Sequence, residues 1–141
     1  LLHLVEEVAK YIKDYYPELK RIGVLGTTGT LISKIYPDSF NKYNLEVIEP
    51  SAEIQNMFVH PSIYDKSYGI KSVSNPVNSK AKQDLITAGT YLSRKGAEAV
   101  ILGCTEIPLA ITETKIENSI IIDATSVLAK ALIRESRLIH K

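Results

Sequence analysis

The one cysteine of the chain, Cys104, lies one glycine beyond the apolar run Val100-Ile101-Leu102 and is followed by Thr105-Glu106-Ile107-Pro108. A thiol at the carboxyl end of a strand, just ahead of a helix that Pro108 is fit to start, is placed for nucleophilic or proton-transfer work, and a nearby helix N-terminus favours its thiolate. Residue type alone points the other way, to a small buried hydrophobe. The other chemically suggestive segment is Gly26-Thr27-Thr28-Gly29-Thr30. Its small residues let a ligand approach the backbone, and its hydroxyls beside a helix N-terminus can hold a carboxylate or a phosphate. The competing reading is an unliganded polar turn. Gly23, Gly26 and Gly29 are spaced G-x-x-G-x-x-G, which is not the dinucleotide fingerprint, and no Gly-Lys-Ser/Thr ending supplies a P-loop lysine.

The remaining candidates are weaker. His3, His60 and His140 are scattered and complete no visible hydrolase triad. With one cysteine they offer no metal-ligand spacing, so no metal site is expected. Lys71, in Tyr68-Gly69-Ile70-Lys71-Ser72, is either a solvated loop charge or a cation for a substrate carboxylate. Tyr36, Asp123 and Thr125 are similar cases, Asp123 reading first as a strand-end residue or helix cap.

Composition bounds what these residues can belong to. The 141 residues are 45% hydrophobic and 23% charged, enough for one globular domain with a core. Seventeen basic residues against 16 acidic ones give a net charge of +1, which leaves no electrostatic footprint for nucleic acid or an anionic membrane. No apolar stretch approaches the roughly 20 residues that span a bilayer, and no basic segment precedes an apolar run at the start. A lone cysteine excludes an intrachain disulfide framework and suits a reducing cytoplasm. The chain holds one methionine, Met57, and opens inside an amphipathic pattern, from which a missing upstream portion is expected.

The elements that must position these groups follow from periodicity. Leu1, Leu4, Val5, Val8, Ile12 and Tyr15 recur at helical spacing up to Pro17. Residues 21–26 and 45–48 read as buried strands, with a short helix from Thr30 to Tyr36 between them, a β-α-β unit. Ser51 caps a helix carrying Ile54, Met57 and Phe58, which Pro61 must kink or restart. Asn75-Pro76 or Ser79 is fit to cap the next helix, whose buried stripe is Ala81, Leu85, Ala88 and Leu92 and which Gly96 ends. Strands at 97–102 and 120–122 and a last helix from about Ser126 to Ile139, with Val127, Ala131, Leu132 and Glu135, complete an α/β fold with a mainly parallel sheet flanked by helices.

In combination, Gly23-Val24-Leu25-Gly26-Thr27-Thr28-Gly29-Thr30, Tyr36, the block Gly96-Ala97-Glu98-Ala99-Val100-Ile101-Leu102-Gly103-Cys104-Thr105-Glu106-Ile107 and then Asp123-Ala124-Thr125 resemble the aspartate/glutamate racemase family, in order and across essentially the whole chain. The resemblance implies a cofactor-independent racemase with two similar α/β lobes around a cleft, in which a thiolate and a thiol, one from each lobe, exchange a proton at Cα of an acidic amino acid. By that resemblance Cys104 is the second of the two cysteines, Thr27, Thr28, Gly29, Thr30, Lys71, Thr105 and Glu106 bind substrate, and a homodimer is possible. The family's first cysteine, in a Cys-Asn-Thr type motif, should precede Leu1. The chain is therefore expected to be one lobe plus the return helix, inactive alone. Leu128 stands where some relatives carry histidine. Maleate isomerase and arylmalonate decarboxylase relatives, or a non-catalytic carboxylate-binding module, are the alternatives.

Overall fold

The computed structural model describes residues 2–139, with side chains over 4–138. Leu1 and His140 lie outside the described residues, as does the side chain of His3. Five strands, β1 (Arg21–Leu25), β2 (Glu46–Ile48), β3 (Ala99–Leu102), β4 (Lys115–Ile116) and β5 (Ser119–Asp123), form one sheet in the order β2-β1-β3-β5-β4. All pairings are parallel except that of β4 with β5. The central strands are apolar on both faces because both faces are covered. Ile22 and Val24 are joined on one face by Ala99 and Ile101, while Leu25, Val100 and Leu102 point into the core on the other.

 Each of these side chains is almost fully removed from water, and one such Val, Leu or Ile contributes about 1.5–3 kcal/mol.

Eight helices flank the sheet among the described residues: α1 (Leu2–Tyr15), α2 (Thr28–Ser33), α3 (Ile35–Asn41), α4 (Ala52–Ile54), α5 (His60–Tyr64), α6 (Ser79–Arg94), α7 (Ile107–Ala110) and α8 (Ala124–Ile139), with a π-helical turn, Gln55–Val59, joining α4 to α5. On one face α1 packs Val5, Val8, Ala9 and Ile12, α3 packs Tyr36 and Phe40, and α8 packs Val127. On the other, α6 packs Ala81, Leu85, Ala88 and Leu92 beside Val59, Ile63 and Ile107. The result is a three-layer arrangement that brings the carboxyl ends of the parallel strands to one edge.

Several expected boundaries move for local reasons. The single helix expected from Thr30 to Tyr36 is two, because Lys34 adopts a left-handed φ of 60° and separates α2 from α3. Asn78 caps α6 by accepting from the Lys80 N–H at 2.8 Å, so neither Asn75-Pro76 nor Ser79 is the cap. The last helix starts at Ala124 because Asp123 Oδ1 accepts from the N–H groups of Thr125 and Ser126 at 3.0 and 3.3 Å. Tyr15 and Met57, placed by periodicity on helix stripes, are exposed, as is Leu132. Ile54 and Phe58 do pack against the core, half-buried, but the fully buried side chains of the 52–64 segment are Gln55, Val59, Ser62 and Ile63, since the π turn adds a residue and rotates the face ahead of Pro61. Ser51 does cap that segment, accepting from the Ile54 N–H. Gly96 closes α6 as expected, at φ +104°, which a side chain rarely adopts.

Candidate active site at the seam of the two central strands

β1 and β3 are paired in register up to Leu25 and Leu102, so the residues that leave them, Gly26 to Thr30 and Gly103 to Glu106, emerge side by side. The Gly103 N–H donates to the Leu25 carbonyl at 2.8 Å, carrying the pairing one residue past the strand. A Cβ on Gly103 would meet that carbonyl at 3.1 Å and the Tyr36 hydroxyl at 3.4 Å. The glycine is thus what lets the turn bearing the thiol lie this close to β1 and α3.

The hydroxyl loop is organised by its own hydrogen bonds. Thr27 caps α2, its Oγ1 accepting from the Thr30 N–H at 3.3 Å and sharing a hydrogen bond with Thr30 Oγ1 at 3.0 Å. Thr28 Oγ1 accepts from Gln55 Nε2 at 3.2 Å and lies 3.1 Å from His60 Nδ1. Gln55 Nε2 also donates to the Gly26 carbonyl at 3.1 Å, which fixes the loop from below. A Cβ on Gly29 would meet nothing within 4 Å, so packing does not require glycine there.

On the other side of the seam, Cys104 is half-buried and free. Burial pushes its thiol up, and the Glu106 carboxylate adds to the rise; the N–H groups of Ile107 and Glu106 and the Lys71 ammonium pull the other way without overcoming it. The expectation of a favoured thiolate is therefore corrected. α7 is only four residues long, too short for its dipole to offset desolvation. Lys71 Nζ sits 3.4 Å from Glu106 Oε1 and 5.6 Å from the Tyr64 ring centroid, and Thr105 Oγ1 donates to Glu106 Oε2. Lys71 is thus tied to the turn bearing the cysteine, not a free loop charge.

A cleft of about 320 Å³ opens against this edge, lined in part by Thr27, Gly29, Thr30, Ser33, Tyr36 and Gly103. The residues singled out from the sequence fall in two groups, Thr27 to Thr30 after β1, of which Thr27, Gly29 and Thr30 line the cleft, and Cys104, Thr105 and Glu106 after β3 with Lys71 paired to Glu106, which are not among its lining residues. Asp123 and Thr125 are occupied in capping α8. Gln55 and His60 were not anticipated as neighbours of the loop. Gln55 left one signal, a polar residue four positions before Val59 on a face that is otherwise buried. His60 left none, since its approach to Thr28 depends on how the 52–64 segment packs. Among the described residues no three His, Cys, Asp or Glu are grouped to hold a metal ion, and no helix is long and apolar enough to cross a membrane.

The family model for Asp/Glu/Hydantoin racemase matches residues 1–132. The chain belongs to this racemase family. It is 29% identical over 134 residues to an uncharacterised protein encoded in the pnlA 3′ region of Pectobacterium carotovorum subsp. carotovorum, covering 94% of this chain and 83% of that one. Among solved structures it is similar to an aspartate racemase from Picrophilus torridus, with a TM-score of 0.69 and 26% identity, over 94% of this chain and 51% of that one. It is also similar to an aspartate racemase homologue from Pyrococcus horikoshii OT3, with a TM-score of 0.72 and 25% identity, over 95% of this chain and 55% of that one. The chain spans about half the length of these solved racemase-family relatives. The α/β fold with its mostly parallel sheet is theirs.

Proposed function

We propose that the protein takes part in racemising an acidic amino acid, aspartate or glutamate, without a cofactor, Cys104 exchanging a proton with Cα on one face. The observation that carries this reading is the thiol at the end of β3, beside the hydroxyl loop that follows β1 and inside the family match. An amino-acid Cα–H is a very weak acid, so its removal needs a base held against the carbon and donors on the carboxylate. In the proposed binding mode Thr27, Thr28 and Thr30 offer hydroxyl groups to a substrate carboxylate, Gly29 leaves room for its approach, and Lys71, paired with a Glu106 that accepts from Thr105, supplies the cation. In one direction the Cys104 thiolate takes the Cα proton and becomes a thiol, while the electron pair left on carbon delocalises into the carboxylate. A second group on the opposite face returns a proton and gives the enantiomer; in the reverse direction the Cys104 thiol is the donor. Since one thiol serves one face, the 141-residue chain by itself exchanges hydrogen at a single face and does not invert.

The test is proton NMR in D₂O, following loss of the Cα–H signal of L-aspartate and L-glutamate with the intact protein and with Cys104→Ala, and chiral chromatography of the product. The expected result is wash-out with formation of the D-enantiomer, lost in the variant. Folded protein that exchanges neither amino acid would rule the reading out. The raised thiol favours a resting acid, which suits a second reading, a related cysteine-dependent decarboxylase that needs only one protonation. Carbon dioxide release from a small malonate-type acid, with no exchange of aspartate, would support that instead.

A further inference from the structure

Tyr36 is 3% exposed, and its hydroxyl is buried with no hydrogen-bond partner among the described residues. A phenol removed from water without a partner carries a desolvation cost, and such groups are rare in folded proteins unless a function uses them. The ring is fixed by an edge-on contact with Phe40, centroids 5.6 Å apart, so the hydroxyl has little freedom to seek a partner elsewhere. It lies against Gly103, where even a methyl group would come within 3.4 Å of it, and Gly103 is covalently joined to Cys104. The phenol's own ionisation is pushed up to about 12 by burial and by the proximity of Cys104, so it stays a donor throughout the range in which a thiol titrates.

We propose that Tyr36 is a positioning residue for Cys104: its fixed, buried hydroxyl, which makes no hydrogen bond to the sulfur in the structure, donates one when the thiol ionises and the Cys104 side chain turns toward it. The proton lost by Cys104 goes to the substrate or to solvent, and the phenol keeps its own. The other charged or titratable groups facing the sulfur are Glu106, which opposes ionisation, and Lys71, which assists it while paired with Glu106; the N–H groups of Glu106 and Ile107 also point to it. With the cation already engaged, the phenol is a buried neutral donor at this edge that has no acceptor among the described residues. The arrangement gives a thiol that rests protonated, by burial, yet has a donor in reserve for its anion, as reversible proton transfer at carbon requires. The role deepens the racemase reading by assigning a residue to the same site, but its test needs no substrate.

Because the chain has a single cysteine, the pH dependence of alkylation by iodoacetamide reports on Cys104 alone. Tyr36→Phe keeps the ring and its packing and removes only the hydroxyl. The expected result is a rise of about one unit in the pH midpoint of alkylation, the size of a tenfold loss in thiolate stabilisation. Placing 3-fluorotyrosine at position 36 makes the phenol a stronger donor and moves the midpoint the opposite way. Thermal unfolding of each variant, followed by circular dichroism, shows that the fold is kept. A folded Tyr36→Phe protein with an unchanged midpoint would overturn the role whatever the protein's activity, and a shifted midpoint in a protein that exchanges no amino acid would uphold it while the racemase reading fell.

Discussion

Gly29 sits in the first turn of α2 with open space where a side chain would be, so its lack of a Cβ serves no packing purpose within the described residues. Glycine in a helix is less stable than alanine by roughly 0.5–1 kcal/mol. Gly29→Ala is therefore expected to raise the stability of the protein by a few tenths of a kcal/mol up to about 1 kcal/mol in urea unfolding. If the loop closes on a substrate carboxylate, the same change raises KM while leaving kcat nearly unchanged, because the added methyl obstructs ground state and transition state alike. A variant that gains stability and keeps its KM would place the substrate elsewhere. Thr27 illustrates the opposite balance: its hydroxyl is already spent on the Thr30 N–H, so removing it costs a helix cap as well as a possible contact, and its kinetics alone would not separate the two.

At the scale of elements, α6 and the β4 edge meet where Gly89 faces Ile116. A Cβ on Gly89 would stand 2.7 Å from Ile116 Cδ1, the far end of a side chain that can give way. Gly89→Ala alone is expected to be neutral or destabilising by about 1 kcal/mol, its helical gain offset by overpacking. In the Ile116→Val background, which removes Cδ1, the same change is expected to stabilise. A double-mutant cycle on urea midpoints measures that coupling, and strict additivity would show that Ile116 is not what the methyl meets. This contact also marks where sequence reading stops. β1, β3 and α6 were legible because their residues are buried on every available face or along one stripe, so hydrophobicity alone writes their period. β4 is two residues long and has no period to read; it exists because β5 offers it an edge. The break at Lys34 and the rotation of the 52–64 stripe are likewise settled by packing, not by local preference. For the site, Cys104 and the hydroxyl loop could be read from residue type at strand ends, whereas the donor that holds the loop, Gln55, depends on contacts made across the layers.

The whole molecule is tied across the seam at both ends. At the opening end of β1 and β3, Glu98 Oε1 accepts from the N–H groups of Arg21 and Lys20, each at 2.9 Å. These bonds, Arg21 first, hold its carboxyl below the usual carboxylate range. A depressed carboxyl means that the unfolded chain binds the proton more readily, so the stabilisation is fully present above the unfolded value, near pH 4.3, and is lost as pH falls through the folded one. Glu98→Gln keeps an acceptor for both N–H groups and removes the charge. It is expected to cost about 1 kcal/mol at pH 7 and to differ little from the parent near pH 3, as read from denaturant midpoints at the two pH values. A gap that stays constant with pH would assign the effect to packing. The same tie has a kinetic side. Arg21 and Glu98 are 77 positions apart, so β1 must wait for most of the chain before its central neighbour exists. Closing so long a loop is entropically costly and late, which makes this a slow-folding sheet. Hydroxyl loop and thiol come together only when that closure is complete. Until then the thiol of a growing chain is an ordinary exposed one, and its retreat from reagents becomes a clock for the last step of folding.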